Sequence, residues 1–88
     1  MSNHQGSYLL NEVIGILDEA SVFDLLGQER SQALILKILH HALRDYDCNA
    51  GEILEGHEAR FGICSYCKSP AEEIQDGLCA ACRKSLGR

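Results

Sequence analysis

Five of the 88 residues are cysteines, and four of them fall in two like-spaced pairs, Cys64-Ser-Tyr-Cys67 and Cys79-Ala-Ala-Cys82. Each CxxC segment closes a tight turn that aims both sulfurs at one point. Two such turns supply the tetrahedral four-thiolate shell that zinc favours in structural sites. Eleven residues separate the pairs, with Pro70 near the start of the insert and Asp76-Gly77 near its end. Asp-Gly is a turn pair, so the insert is expected to form a short β-hairpin that returns the chain to the metal. After Cys82 the run Arg83-Lys-Ser-Leu-Gly87 reads as a terminal helix stopped by glycine. Cys79 and Cys82 then sit in its first turn, where unpaired backbone N–H groups stabilise thiolates. The expected cofactor is one structural Zn2+ held by Cys64, Cys67, Cys79 and Cys82. Sulfur ligands alone do not settle the metal, so an iron site and a metal-free cluster of buried cysteines stand as the alternatives.

The other candidates carry weaker chemistry. Cys48 lies between Asp45 and Asp47 on one side and Asn49 on the other. Its acidic neighbours oppose a depressed thiol pKa, so it is expected to be a small buried residue near a helix end. His40 and His41 are adjacent and point about 100° apart on a helix, which prevents easy chelation of one ion. His57-Glu58 precedes Cys64 by seven residues and would suit a catalytic zinc with a general base. The zinc-deaminase signature, however, needs H-x-E and a proline before its CxxC, and both are missing. Four thiolates also leave no open position for water, which zinc catalysis requires. No catalytic residues are expected and the chain reads as a non-enzyme. His57 is expected to be a partly buried helix residue, with replacement of one cysteine ligand as the alternative. Tyr66, between the first two ligands, either faces outward as a contact residue or covers the helices. Arg83 and Lys84 read as a solvated helix face.

Elements upstream must position this module. Residues 1–6 read as a frayed polar lead-in. From Ser7 the spacing of Leu10, Val13, Ile14 and Leu17 predicts a helix face. The pattern weakens around residues 18–21, and Val22, Phe23, Leu25 and Leu26 form an apolar cluster ended by Gly27, so one helix or two over residues 7–26 are both compatible with it. The strongest helix runs from about Glu29 to Tyr46, where Ile35, Ile38, Leu39, Ala42 and Tyr46 make a continuous stripe widened by Leu34, Leu36 and Leu43. A helix this apolar must be covered on more than one side, which implies a homodimer of helical hairpins or a groove awaiting a partner helix. Asn49-Ala-Gly-Glu52 resembles a capping box and predicts a short helix over about 50–60 with Ile53, Leu54 and His57 turned inward. Phe61 and Ile63 are expected to pack the metal module against the helices.

Composition bounds the function. A hydrophobic content of 45% is globular rather than disordered. The longest apolar run, Ala33–Leu36, is too short to span a bilayer, and the N-terminus has no basic residue followed by an apolar stretch. The expectation is a cytoplasmic protein, in which paired cysteines read as metal ligands before disulfides. Residues 1–62 carry ten acidic and four basic side chains, and residues 63–88 three and four. Nucleic-acid binders need a basic footprint to neutralise phosphates. Here only Lys68, Arg83, Lys84 and Arg88 could form a small patch, so nucleic-acid binding is disfavoured without being excluded.

The paired cysteines resemble the general class of four-cysteine zinc ribbons and treble-clef fingers. Helices followed by such a finger are similar in layout to the DksA/TraR family, small bacterial proteins that bind RNA polymerase. The motif match covers residues 64–88, and the eleven-residue insert is shorter than that family's. The insert length is closer to that of a ubiquitin-binding finger, whose aromatic-Gly signature is absent. No residue roles beyond the cysteines are carried over. The expected fold is mainly α: an acidic helical hairpin or small helical bundle over residues 1–62, used for dimerisation or partner binding. A C-terminal four-cysteine zinc finger with a short β-hairpin follows over residues 63–88. The expected function is a small zinc-binding regulatory or adaptor protein acting through protein–protein interaction, with transcription machinery as the partner that the layout suggests. The alternative is a nucleic-acid-binding transcriptional regulator with the finger as reader and the helices as dimeriser.

Overall fold

The computed structural model describes residues 2–87; Met1, in the expected lead-in, and Arg88, in the expected basic patch, lie outside the described residues. Helix α1 spans His4–Glu19, three residues earlier than the apolar pattern implies. Asn3 is the reason. Its side chain accepts from the Gly6 N–H at 2.8 Å, its own N–H donates to the Asp47 carbonyl, and its Nδ2 donates to the Tyr46 carbonyl at 3.1 Å. The expected fray is therefore a capped helix start tied to a distant loop.

Ser21 adopts a left-handed conformation (φ 64°) and breaks the first helical segment in two. Helix α2 (Val22–Leu26) follows, and Gly27 at φ 84° turns the chain into α3 (Gln28–Asp45). Helix α3 buries Ile35, Leu39 and Ala42 as the stripe predicts. Tyr46 does not join them. The helix ends one residue before it, and the ring is 66% exposed. Leu25 and Val13, expected inside, are also exposed, because α2 and α1 turn those positions away from the core.

Asn49 caps α4 (Ala50–Leu54), accepting from the Glu52 N–H at 3.0 Å. Only half of the expected capping box forms. The Glu52 carboxylate takes His4 Nδ1 at 2.6 Å instead, and the Asn49 N–H donates to Ser7 Oγ at 2.8 Å. The helix expected over 50–60 is interrupted at Gly56 (φ 81°), and a single turn, α5 (Glu58–Phe61), follows. The Asn11 side chain reaches from α1 to the end of α4 and donates to the Ile53 and Glu55 carbonyls at 3.0 and 2.8 Å, satisfying groups that the break leaves open.

Phe23 and Phe61 meet edge to face at 4.7 Å in the middle of the core. Ile14, Ile35, Ile53, Leu54 and Ile63 complete it. Two hydroxyls lie inside this apolar set and both are satisfied: Ser7 Oγ donates to the Asn3 carbonyl, and Ser31 Oγ to the Phe23 carbonyl. Beyond the core a two-stranded antiparallel hairpin, β1 (Ile74–Gln75) and β2 (Leu78–Cys79), leads into α6 (Ala80–Leu86). The mainly helical body followed by a small hairpin module is the fold the sequence predicts. No helix among the described residues is long and apolar enough to cross a membrane.

Phe61→Ala removes a fully buried ring and should cost about 3–5 kcal/mol of unfolding free energy. Leu25→Ala, at an 86% exposed position, should change stability by less than about 0.5 kcal/mol. Urea denaturation of the two variants beside the parent chain checks this contrast.

Candidate metal centre

Helix α5 delivers the chain to the cysteines. Gly62 closes it in the left-handed conformation (φ 66°), and a Cβ there would lie 3.0 Å from the Ala71 carbonyl oxygen. Backbone positions on both sides of the first pair are then clamped. The Ala71 N–H donates to the Gly62 carbonyl at 2.8 Å, and the Cys64 N–H to the Ser69 carbonyl at 3.0 Å. Ile63 bridges to Pro70. Gln32 donates from α3 to the Phe61 carbonyl at 2.9 Å and to the Gly62 carbonyl at 3.2 Å. The first CxxC turn is thus anchored to the helical body on its entry side.

The second pair arrives through the hairpin. Gln75 pairs with Leu78, leaving Asp76 and Gly77 as a two-residue loop with φ values of 53° and 77°. Positive φ at both central residues is the turn whose twist matches the strands, which is why Asp-Gly stands there. Ser65 ties this turn to the first CxxC, its N–H and Oγ both donating to the Gly77 carbonyl at 2.9 and 2.8 Å. The Glu58 carboxylate also lies against the turn, 2.7 Å from where a Gly77 Cβ would be. Cys79 then ends β2 and stands at the N-cap of α6, with Cys82 one turn later.

These two routes bring the four sulfurs of Cys64, Cys67, Cys79 and Cys82 within 4.8 Å of one another. Cys67 Sγ and Cys79 Sγ are 3.8 Å apart. A tetrahedron with zinc–sulfur bonds of about 2.3 Å has edges of about 3.8 Å; the Cys67–Cys79 separation equals such an edge, and every other pair lies within 4.8 Å. Cys64 and Cys82 are buried, Cys79 is half-buried and Cys67 is exposed, which leaves an approach for an ion from the Cys67 side. All five cysteines are free thiols.

The electrostatics of the cluster divide the ligands. Burial pushes the Cys64 thiol up, but the backbone N–H groups of Cys67, Cys79 and Tyr66 together outweigh it and bring the thiol to about 6. The Cys67 N–H lies 3.5 Å from Cys64 Sγ. Cys82 is pushed up to about 12 by burial and by the neighbouring sulfurs of Cys79, Cys64 and Cys67. Without a cation at the centre, one sulfur ionises readily and another resists. A bound divalent ion reverses that resistance, because its own charge is the largest in the site.

The other sequence candidates fall elsewhere. Cys48 is buried in the helical core. The His57 ring sits beside the Asn11 carbonyl, with Nε2 at 3.2 Å, and is not part of the sulfur cluster. His40 and His41 meet each other edge to face on α3. Tyr66 points to solvent at 61% exposure and so does not cover the helices. Arg83 departs from the expected solvated face: its Nη1 donates to Gln75 Oε1 at 2.6 Å, fastening α6 to β1. The pattern of basic residues alone carried no signal of that role. Arg60, which carries no sequence signal, pairs with Asp18 at 3.4 Å and Asp24 at 3.2 Å and holds α5 to the end of α1 and the middle of α2.

Compared with known proteins, the chain matches no family model, no curated protein and no solved structure.

Two outcomes follow from this geometry. A strong chelator, or Cys79→Ser, should unfold the segment after Ile63, α6 included, while α1–α5 persist, because metal ligation in zinc-finger peptides contributes on the order of 10–16 kcal/mol. Loss of amide dispersion after Ile63, beside a far-ultraviolet helical signal reduced only by the share of α6, checks this. Cys64 is a thiolate at pH 7.5 and a thiol at pH 5, given its value of about 6. Zinc added to the metal-free chain must therefore displace more protons per ion at pH 5 than at pH 7.5, and its affinity must fall as the solution is acidified. Proton release measured by titration in two weak buffers reads the difference.

Proposed function

We propose that this chain is a small zinc-stabilised binding protein that works through protein–protein contacts and catalyses no reaction. The observation that carries the reading is the convergence of four sulfurs within 4.8 Å of one another. A zinc ion held there has its coordination filled by protein, leaving no vertex for the water that catalytic zinc sites activate. The ion's role is then to replace a hydrophobic core. Among the described residues the module's own buried cluster is Cys64, Leu78 and Cys82, with Ile74 and Cys79 packed against it. That is too little apolar surface to hold a fold.

The acidic excess of residues 1–62 and the exposed side chains of Tyr8 and Tyr66 favour a protein partner carrying basic and apolar groups. What points to transcription machinery is the order of helices followed by finger. The nucleic-acid reading has less support. Arg83 is already engaged with Gln75, and the finger's described positive side chains besides it are Lys68 and Lys84, a thin footprint for phosphate.

Substitution with Co2+ tests the metal reading. One ion per chain with the absorption of a tetrahedral four-thiolate site is the expected result, and a spectrum requiring a nitrogen or water ligand would overturn it. For the adaptor reading, chemical crosslinking in extracts of the source cells should recover a specific protein partner that survives nuclease treatment. Recovery that disappears with nuclease would favour the nucleic-acid alternative.

A further inference from the structure

An apolar cleft of about 500 Å³ runs between α1 and α3. Leu9 and Leu10 wall one side, and Leu34, Ile38 and Ala42 the other. A second hollow, bounded by Leu26, Arg30, Leu34 and Lys37, shares Leu34 and Lys37 with the first. The depression therefore follows most of the length of α3. Beside it α1 exposes Leu9, Val13 and Ile16, spaced i, i+4, i+7, which makes a single apolar ridge along the helix. Ridge and cleft together form a surface larger than a small apolar ligand could cover.

The total exposed area is consistent with a missing cover. The chain exposes 5690 Å², whereas a compact monomer of 9.7 kDa exposes roughly 5,100 Å².

Charge placement identifies what fits. On α1 the exposed carboxylates Glu12 and Glu19 flank the ridge, three residues beyond Leu9 and Ile16 respectively. On α3 the exposed cations Arg30 and Lys37 flank the cleft, on either side of Leu34. Each charged pair is spaced by seven residues, about two helical turns or ~10.5 Å. Among the described residues none of these four side chains has an ion-pair partner within the chain. One helix thus carries two negative charges at the spacing at which the other carries two positive ones, each beside an apolar strip.

We propose that the cleft is closed by a second copy of this chain. Helix α1 of one protomer lies along α3 of the other, with its apolar ridge against the cleft and Glu12 and Glu19 facing the partner's Arg30 and the partner's Lys37. Because every protomer has both the ridge and the cleft, the contact is made twice about a two-fold axis and closes on itself. A helix from an unrelated protein would need the same acidic flank that α1 already has. This contact uses no residue of the cysteine cluster.

Sedimentation equilibrium of the full zinc-loaded chain at about 100 μM should give a dimer. E12K/E19K and R30E/K37E should each weaken the dimer at least about tenfold, since like charges then face each other. An equimolar mixture of the two variants should restore association, because both contacts of the mixed dimer again pair opposite signs. Ile16→Glu, at an exposed position that leaves the helical circular dichroism unchanged, should also give monomers. A monomeric parent chain at that concentration overturns the proposal and leaves the cleft to a small ligand or a different protein. A dimer indifferent to both double substitutions, or a mixture no tighter than its components, overturns it equally.

Discussion

Four sulfur atoms gathered within 4.8 Å of one another are an unfavourable arrangement unless something positive stands between them. Ionised, they repel. Protonated and buried, they lose solvation and gain little in return. The two opposed shifts in the cluster, Cys64 down and Cys82 up, are this conflict in one site. A divalent cation removes it by making every thiolate favourable at once. The backbone around the site is arranged for that outcome: N–H groups converge on Cys64, the Asp76-Gly77 turn is tied by Ser65, and Cys79 and Cys82 open a helix.

The helical body solves the complementary problem. It has an apolar core but short elements, so its helix ends and breaks must be satisfied by side chains. Asn3 and Asn49 cap α1 and α4, and Asn11 covers the end of α4. Ser7 and Ser31 bond buried or bridging backbone groups. Gln32 and Arg60 fasten the single turn α5 to its neighbours. That turn matters most for the site. Phe61 and Ile63 belong to the helical core, and Cys64 is the next residue along. The metal module therefore begins where the apolar core stops, with one side of its first ligand turn already held in place.

The same economy leaves a surface. Sixteen residues of α1 and eighteen of α3 offer more apolar face than the short helices α2, α4 and α5 can cover. The uncovered part is ordered along two strips, one on each helix, with opposite charged borders. Such a strip tends to be buried in an assembly rather than left in water.

By itself the sequence determined the four-cysteine cluster, the hairpin turn and the strongest helix, because each is written in local chemistry. CxxC spacing, an Asp-Gly pair and a 3.6-residue apolar period act within a few residues of chain and need no knowledge of what lies across the fold. Contacts between distant residues decided the rest. The His4 start of α1 depends on Asn3 reaching the loop after α3, some forty residues away in sequence. The second half of the capping box is lost because His4 competes for Glu52. Whether Val13, Leu25 and Tyr46 are buried depends on which faces of the helices meet. An apolar side chain carries no label for the face that will find a partner, so only the tertiary packing could divide core from open surface.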